Sequence, residues 1–595
     1  MDPAVLASFT IYNLPSSPPR FDQIGRFYIA FCATWTALVI AGMVFCWVNR
    51  NSPVLKWRGL PLSFTAITCL HMYWILAQIT YPVGGTMPVV LAYDIQYFVM
   101  GTWFPLGIAL FHASNSRFLH VAKLQRLHFT GNVEGSRRGR TGCDGAKSSW
   151  LCRLRNMDYS KRIMIFIGLG MVAQVLLTVG MWFACKKYHP TYGIPGTEIR
   201  GSNLMEQMED LGRGWEWWPT VLWQVIWTWI VAPSMLWKAW SIRDTMGWRT
   251  QTVGCCLSSL HATPMFLVAS YVPAFAKINP YFTPSQWLHL SSMMFEIFTI
   301  FVPAFQVIRL RILSKKAVDA NEKWDTLSQT TTLRPVSTKA STYGNCKRST
   351  SASQLEKGYA IYETESAEVG SEPDSRLLTM TALEHALRDN QGSLQEFSAL
   401  NDFSGENIAF LSRVAAWKSV TWPELSEISE CQPVDEEEKL NAYNQALDIY
   451  ADFVSLTLAE FPLNLPSNEL KQLEAVFEKP AHILFGDNAS TNPVTPFDDA
   501  FHGCNASRSG SGQDVRSQVR YTGEIPAGFN ANVFDRAQGH IKYLVLTNTW
   551  PKFVKEMHQR RRSSDTGRSV NTADSQRSLL SRASTSLSGF LRSIF

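Results

Sequence analysis

Charge is scarce in this chain. Asp, Glu, Lys and Arg make up 17% of its 595 residues against 46% apolar, a balance that leans away from an ordinary soluble enzyme. The eleven cysteines include no CxxC pair and no metal-ligand spacing, so neither a zinc module nor a disulfide framework is expected. The formal net charge is only +6 and falls in short runs beside apolar segments, which argues for membrane orientation and against a nucleic-acid footprint. A basic n-region with a clear cleavage site is also lacking. The first apolar run has the length of a span and follows a Pro-rich polar stretch, so it is read as a helix and not as a signal peptide.

What is present divides the chain in two. Residues 27–310 are rich in Trp, Phe, Leu and Ile, whereas residues 314–595 carry Ser, Thr, Glu and Arg at soluble-protein density. About 20 largely apolar residues cross a bilayer core. The runs 27–48, 95–116, 163–185, 217–237 and 250–276 contain no Asp, Glu, Lys or Arg. The uncharged run 59–93 is too long for one span, and Pro82, Val83, Gly84 and Gly85 within it read as a turn. With 285–308, broken only by Glu296, seven spans are expected.

Lys and Arg set their direction. The loops 49–58, 117–162 and 238–249 and the first residues after the last span hold 21 basic residues, against 7 in the opposite set. The N-terminus (1–26) is therefore expected outside and the C-terminal half inside. Within the spans, Asp94 and Glu296 are candidate ligand or ion positions, since buried charge in lipid is costly. Their alternative role is structural, as protonated carboxyls or hydrogen-bonded to neighbours such as His289. The tryptophans at 215, 217, 218, 223, 227, 229 and 237 read as interfacial and lipid-facing bulk.

Residues 311–375 have the composition of a disordered cytosolic linker. Helical periodicity then returns. Tyr443, Ala446, Leu447, Tyr450, Phe453, Val454 and Leu458 fall on one face, and Phe534, Ala537, Ile541, Leu544 and Val545 mark a helix expected to stop before Pro551. Strand alternation is scarce, so 376–557 is expected to be all-α, with a Gly/Ser/Asn-rich insertion at about 486–525. The tail 558–595 repeats Arg before Ser, at Ser563, Ser569, Ser578 and Ser584, a pattern suited to anionic membrane and to release by phosphorylation. The sequons at Asn488 and Asn505 lie on the expected cytosolic side, where glycosylation does not occur.

Three ordered segments are more specific. Residues 394–411, LQEFSALNDFSGENIAFL, contain a Phe-Ser-x-Glu-Asn-Ile-x-Phe element; 449–454, IYADFV, precedes 463–465, LNL; and 534–541, FDRAQGHI, precedes 550–553, WPKF. Together they resemble the RGS (regulator of G-protein signalling) domain. Joined to a seven-span bundle, the chain resembles the seven-transmembrane RGS proteins of plants and fungi. The fold implied is all-α, a transmembrane bundle followed by a cytosolic helical RGS domain. The resemblance implies no catalytic residue, metal or cofactor, but an activator that holds the switch segments of a GTP-loaded Gα subunit, whose arginine is already in cis.

Carried over by position, the contacts to Gα are Glu406, Asn407, Asn464, Leu465, Leu544, Asn548, Thr549 and Lys552. The last three stand where the family usually has Asp, Ser and Arg, and Lys offers a point charge in place of a bidentate fork. Stiffening by Pro462 and Pro466 suits the holding of Asn464, and Ser404 suits an N-cap. Partners implied are Gα, the bilayer of the plasma membrane and, for a sensing bundle, a small extracellular ligand. Span three ends in Ser114, Asn115, Ser116 and Arg117, and span seven has Val302, Pro303, Ala304 and Phe305, so the bundle lacks the marks of a rhodopsin-type receptor. The competing reading is a transporter or channel that uses an RGS-like domain as a Gα-binding scaffold.

Overall fold

The computed structural model describes residues 9–130, 159–189, 191–331, 377–421, 436–485 and 520–568. Among these the fold is helical and has no strand, only an isolated bridge between Cys185 and Ile194. The insertion over 486–519 with both sequons, most of the expected linker (332–375) and the tail from 569 onward lie outside the described residues.

The first long helices are α1 (Gln23–Val48), α2 (Leu60–Val83) and α3, which runs through Val89–Phe98, Val99–Trp103 and Phe104–Phe129. Next come α4 (Tyr159–Ala184), α5 (Trp218–Val225, Ile226–Val231 and Ala232–Trp240), α6 (Trp248–Ser259 and Ala262–Tyr271) and α7 (Gln286–Glu296, Ile297–Phe301 and Val302–Thr331). Helix α1 starts at a true cap, with Asp22 accepting from the Gly25 amide. Among the described residues six helices are long and apolar enough to cross a membrane, within Gln23–Val48, Leu60–Thr86, Arg162–Ala184, Glu206–Trp240, Trp248–Tyr271 and Gln286–Lys323.

The third expected span is not among those six. It lies in α3, which is more polar because it is enclosed by protein: nearly every residue from Phe104 to Phe118 is buried, including His112, Ser114, Asn115, Ser116 and Arg117. Ser114 meets the Ser63 hydroxyl at 2.5 Å and Arg117 donates to the Trp57 carbonyl at 3.0 Å, partners that lipid would not supply, whereas both ring nitrogens of His112 have none among the described residues. Helices α1 and α4 instead expose rows of large apolar side chains, among them Leu38, Ile40, Val44, Leu169, Val172 and Leu176, the surface that hydrocarbon would cover. The tryptophans divide as well. Trp215, Trp218, Trp229 and Trp237 are exposed, while Trp217, Trp223 and Trp227 pack on the core.

After this come α8 (Met380–Asp389), α9 (Gln391–Leu400), α10 (Gly405–Thr421), α11 (Glu436–Ile449 continuing through Tyr450–Val454), α12 (Ser467–Phe485), α13 (Asp535–Leu544 continuing through Val545–Thr549) and α14 (Trp550–Arg568). Helix α13 does not stop before Pro551, contrary to the sequence expectation. A π-helical turn over Val545–Thr549 carries it into α14. The same device precedes Pro105, Pro233 and Pro303, with wide turns at Val99–Trp103, Ile226–Val231 and Ile297–Phe301. A proline lacks the amide hydrogen and clashes with the carbonyl four residues back. In all four cases that carbonyl, on Gly101, Trp229, Thr299 or Thr547, lies inside the widened turn, which makes room for the ring. Helix α7 likewise runs past the expected end of the last span as far as Thr331, so the start of the expected linker is helical.

By packing, the chain divides into two compact units, one of Met1–Ile312 with Gln391–Ile541 and one of Leu313–Asn390 with Lys542–Phe595. In the first, the bundle core gathers Ile67, Leu70, Phe104, Ile108, Phe111 and Phe295. The aromatic centre of 391–541 is Phe477, fully buried and stacked on Tyr443, Tyr450 and Phe534 at 5.7, 5.3 and 5.6 Å between ring centres. Phe477→Ala is expected to cost about 3–5 kcal/mol. Amides of α10, α11 and α12 that exchange through opening of this core should then exchange about a hundredfold to several thousandfold faster in the intact chain. Unchanged exchange would show that the ring is not a keystone. The second unit is held by Lys542 with Glu384 at 2.7 Å, by the Trp550 indole donating to the Leu377 carbonyl at 2.5 Å and by the Met380 amide donating to Asn321 at 2.9 Å.

Candidate functional site

Four of the eight positions carried over by resemblance lie in the first unit and four in the second. Glu406 and Asn407 occupy the first turn of α10, and Asn464 and Leu465 the loop between Val454 and Ser467. That loop is pinned where it matters. The Leu463 amide donates to the Phe453 carbonyl at 2.8 Å and the Leu470 amide to Pro466 at 3.0 Å. In the second unit Leu544, Asn548 and Thr549 share the end of α13, with Lys552 one turn on, where its ammonium donates to Asn548 Oδ1 at 2.7 Å. Two of the positions carried over by resemblance thus partner one another.

Ser404 ends the approach to α10, and its hydroxyl donates to Asp402 at 3.1 Å. Phe403 before it has a positive φ of 47°, an unusual conformation for a bulky residue, and its ring is buried. The reason lies in what it meets. The ring sits edge-on to Phe118 of α3 at 5.9 Å and to Trp248 of α6 at 6.4 Å. Phe461 from the second loop makes the same kind of contact with Trp57 at 5.2 Å and Phe129 at 5.7 Å, and all these rings share one apolar cluster.

Polar contacts surround that cluster. Gln125 of α3, wholly buried, accepts from the Gly405 amide at 3.2 Å and donates to Glu406 Oε2 at 3.0 Å, which satisfies one of the open amides at the start of α10. Glycine is required at 405, because a Cβ there would stand 2.8 Å from the Phe129 side chain. Lys56 donates to the Pro462 carbonyl at 2.6 Å, Thr245 to Asp402 at 2.6 Å and, through its amide, to the Asn401 carbonyl at 2.8 Å; His128 pairs with Glu460 at 2.7 Å. Asn464 donates to the Asn51 carbonyl over a long 3.4 Å. Glu406 and Asn407, expected to face a partner protein, are each only 4% exposed. No feature of the sequence singled out Lys56, Gln125 or Thr245, which are lone polar residues in basic loops.

Burial raises the Glu406 carboxyl to about 7, with the Lys56 ammonium opposing, and lowers Lys56 to about 8, with Glu406 opposing. His128 is raised by its hydrogen bond to Glu460. When the contact opens, Glu406 returns to its ordinary range near 4.5, so closure takes up a proton. A raised carboxyl penalises the closed form as pH climbs from about 4.5 to 7, and a raised imidazole favours it at low pH. Lys56 is already protonated below pH 7 and contributes its opposite slope above that range. The closed contact should therefore tighten as pH falls from 7 to 5. Spin labels at Arg126 and Asn468 should report a larger short-distance population at pH 5, and Glu406→Gln should remove most of the change. A pH-independent distance in the unsubstituted chain would contradict the assignment.

The two intramembrane candidates are not brought together. Asp94 accepts from the Trp182 indole at 2.8 Å. Glu296 is fully buried and accepts from the Trp35 indole at 2.5 Å and pairs with His71 Nδ1 at 2.8 Å, while His71 Nε2 lies 3.0 Å from the Thr36 hydroxyl. Its partner is thus His71, and the sequence suggestion of His289 is corrected. His289 instead packs against the Tyr73 ring at 4.2 Å. A buried ion pair, Lys187 with Glu216 at 2.5 Å, had no sequence signal, since its two residues sit far apart in the segment between α4 and α5. Among the described residues no group of three or more His, Cys, Asp or Glu is placed to hold a metal. No protein-family model, curated protein or solved structure matches the chain.

Proposed function

We propose that this chain is a membrane-tethered regulator that shortens the GTP-bound life of a Gα subunit. On this reading α3 is the third of seven spans, the N-terminus is outside, and the RGS-type domain lies on the cytosolic face of the plasma membrane. The observation that carries the reading is the juxtaposition of the first and second motif segments. Residues 401–407 and 460–464, more than fifty positions apart, form one face through Phe403 and Phe461 in a common cluster and through Lys56, which lies beside both Glu406 and Pro462. That face brings Glu406, Asn407 and Asn464 to one side, as a grip on flexible switch loops requires.

The chemistry belongs to Gα. Its own glutamine orients the attacking water and its own arginine neutralises charge developing on the γ-phosphate, so an activator gains most by holding both still. Carboxylate and amide groups on a rigid helix start and a proline-flanked loop are suited to that task. Tethering raises the local concentration of the activator around membrane-attached Gα without adding a contact. Single-turnover GTP hydrolysis by candidate Gα subunits, with the full chain in lipid nanodiscs, tests the proposal. Acceleration is expected from chains whose buried face has been opened. None with any Gα, even from such chains, would leave the scaffold on a transporter or channel as the better account.

A further inference from the structure

The face just described is occupied by the chain itself. Glu406 and Asn407 are buried, the Gly405 amide is taken by Gln125, the Asp402 carboxylate by Thr245, and the Pro462 carbonyl by Lys56. Phe403 and Phe461 are wedged among Trp57, Phe118 and Trp248. These partners come from the ends of α3 and α6 and from the 49–58 and 241–247 loops, the basic side of the bundle. A protein as large as Gα has no access to Glu406 or Asn407 while they are in place.

We infer that the basic end of the bundle and Gα compete for one surface, so that the bundle holds the activator closed until residues 401–407 and 460–464 come away. This rests on the Gα reading above. The contact has the composition of a reversible interface. A small aromatic centre is ringed by a few hydrogen bonds and the His128–Glu460 pair, with one long amide contact at Asn464, and no covalent link holds it. A route for opening it is built in. Helix α3 runs unbroken from Val89 near the opposite face to Phe129, about 60 Å at 1.5 Å per residue, and carries Gln125 four residues from its end. A shift or rotation of α3 set by a ligand at its far end moves Gln125 away from Gly405 and Glu406. A closed form that hides the competent one lowers apparent affinity by the fraction hidden.

Two full-length variants in nanodiscs test this. Lys56→Ala with Gln125→Ala and Thr245→Ala removes three polar ties from the bundle side and leaves every proposed Gα contact intact. Thr245→Cys with Asn401→Cys should lock the contact, because the Thr245 amide and Asn401 carbonyl are 2.8 Å apart and their Cα atoms are therefore within disulfide reach. The open variant should accelerate single-turnover GTP hydrolysis at least about tenfold more than the unsubstituted chain. The oxidised pair, confirmed by mapping the cross-linked peptide, should show no acceleration, and reduction should restore it. Equal acceleration by unsubstituted, open and locked chains would overturn the inference while leaving the Gα reading in place, as would failure of the disulfide to form. A disulfide that forms normally, with no acceleration by any variant under any condition, would instead sink the Gα reading and this inference with it.

Discussion

Asn464→Ala, introduced into the chain opened by Lys56→Ala, Gln125→Ala and Thr245→Ala, is expected to reduce the acceleration of GTP hydrolysis tenfold to a hundredfold at subsaturating activator. That range is about 1.4–2.8 kcal/mol, the usual cost of deleting an amide that leaves partner groups unpaired in a desolvated interface. Asn464 is well placed to be separable from folding. Its backbone is fixed by its neighbours, through the Leu463 amide and the Pro466 carbonyl, and not by its own side chain. That side chain is half-buried, and the one hydrogen bond it donates here is long, 3.4 Å to the Asn51 carbonyl. Removing it should therefore leave both the helical signal and the spin-label distance between Arg126 and Asn468 unchanged. Asn464→Asp keeps the shape but cannot donate, and should be as defective as alanine if donation to Gα is the role. Full acceleration by both substitutions would remove the loop from the proposed grip, and the other proposed contacts, Glu406 and Asn407 among them, would have to carry it.

Much of the fold could be read locally, because each membrane helix records its own surroundings. Helices α1 and α4 expose aliphatic rows, and their sequences are uncharged runs of the right length. The same logic misleads for α3. A helix enclosed by others can be polar, so Ser114, Asn115 and Gln125 lower its apolar signal where it is most central. Period alone placed Tyr443, Ala446, Leu447, Tyr450, Phe453, Val454 and Leu458 on a buried face; the first six are buried and Leu458 is half-buried. It could not show that Pro551 is absorbed by a wide turn, since proline is a stop signal only where four-residue hydrogen bonding persists. The site was legible in part. Motif order marked Glu406, Asn407 and Asn464, but their occupants Lys56 and Gln125 are hundreds of residues away and belong to no motif. Phe403 shows the same limit. A positive φ would ordinarily suggest Gly or Asn, and only the pocket formed by Phe118 and Trp248 explains a phenylalanine there.

Glu296→Ala is expected to destabilise the bundle by about 2–4 kcal/mol, the cost of leaving two buried donors without an acceptor. The carboxylate joins three helices: Trp35 of α1 donates to one oxygen and His71 of α2 to the other, while the Thr36 hydroxyl meets the far nitrogen of the same imidazole. The His71 ring also stacks on Trp74 at 5.3 Å, so it has little freedom to turn toward a new acceptor. Glu296→Gln retains one carbonyl acceptor but turns an amide donor toward either His71 or Trp35, and should fall between the two. Asp94→Ala breaks only the Trp182 hydrogen bond at a half-buried position and should cost less than either. Thermal unfolding of the four chains in the same nanodiscs should rank them in that order, lowest for Glu296→Ala. The ranking decides between the two roles open to an intramembrane carboxylate. A structural tie loses stability when cut, whereas a ligand or ion site held against its own burial cost gains stability when replaced by an apolar residue. A higher unfolding temperature for Glu296→Ala would therefore make Glu296 a functional site and reopen the transport reading. A lower one identifies the Trp35, His71 and Glu296 cluster as the fixed frame against which a moving α3 would act.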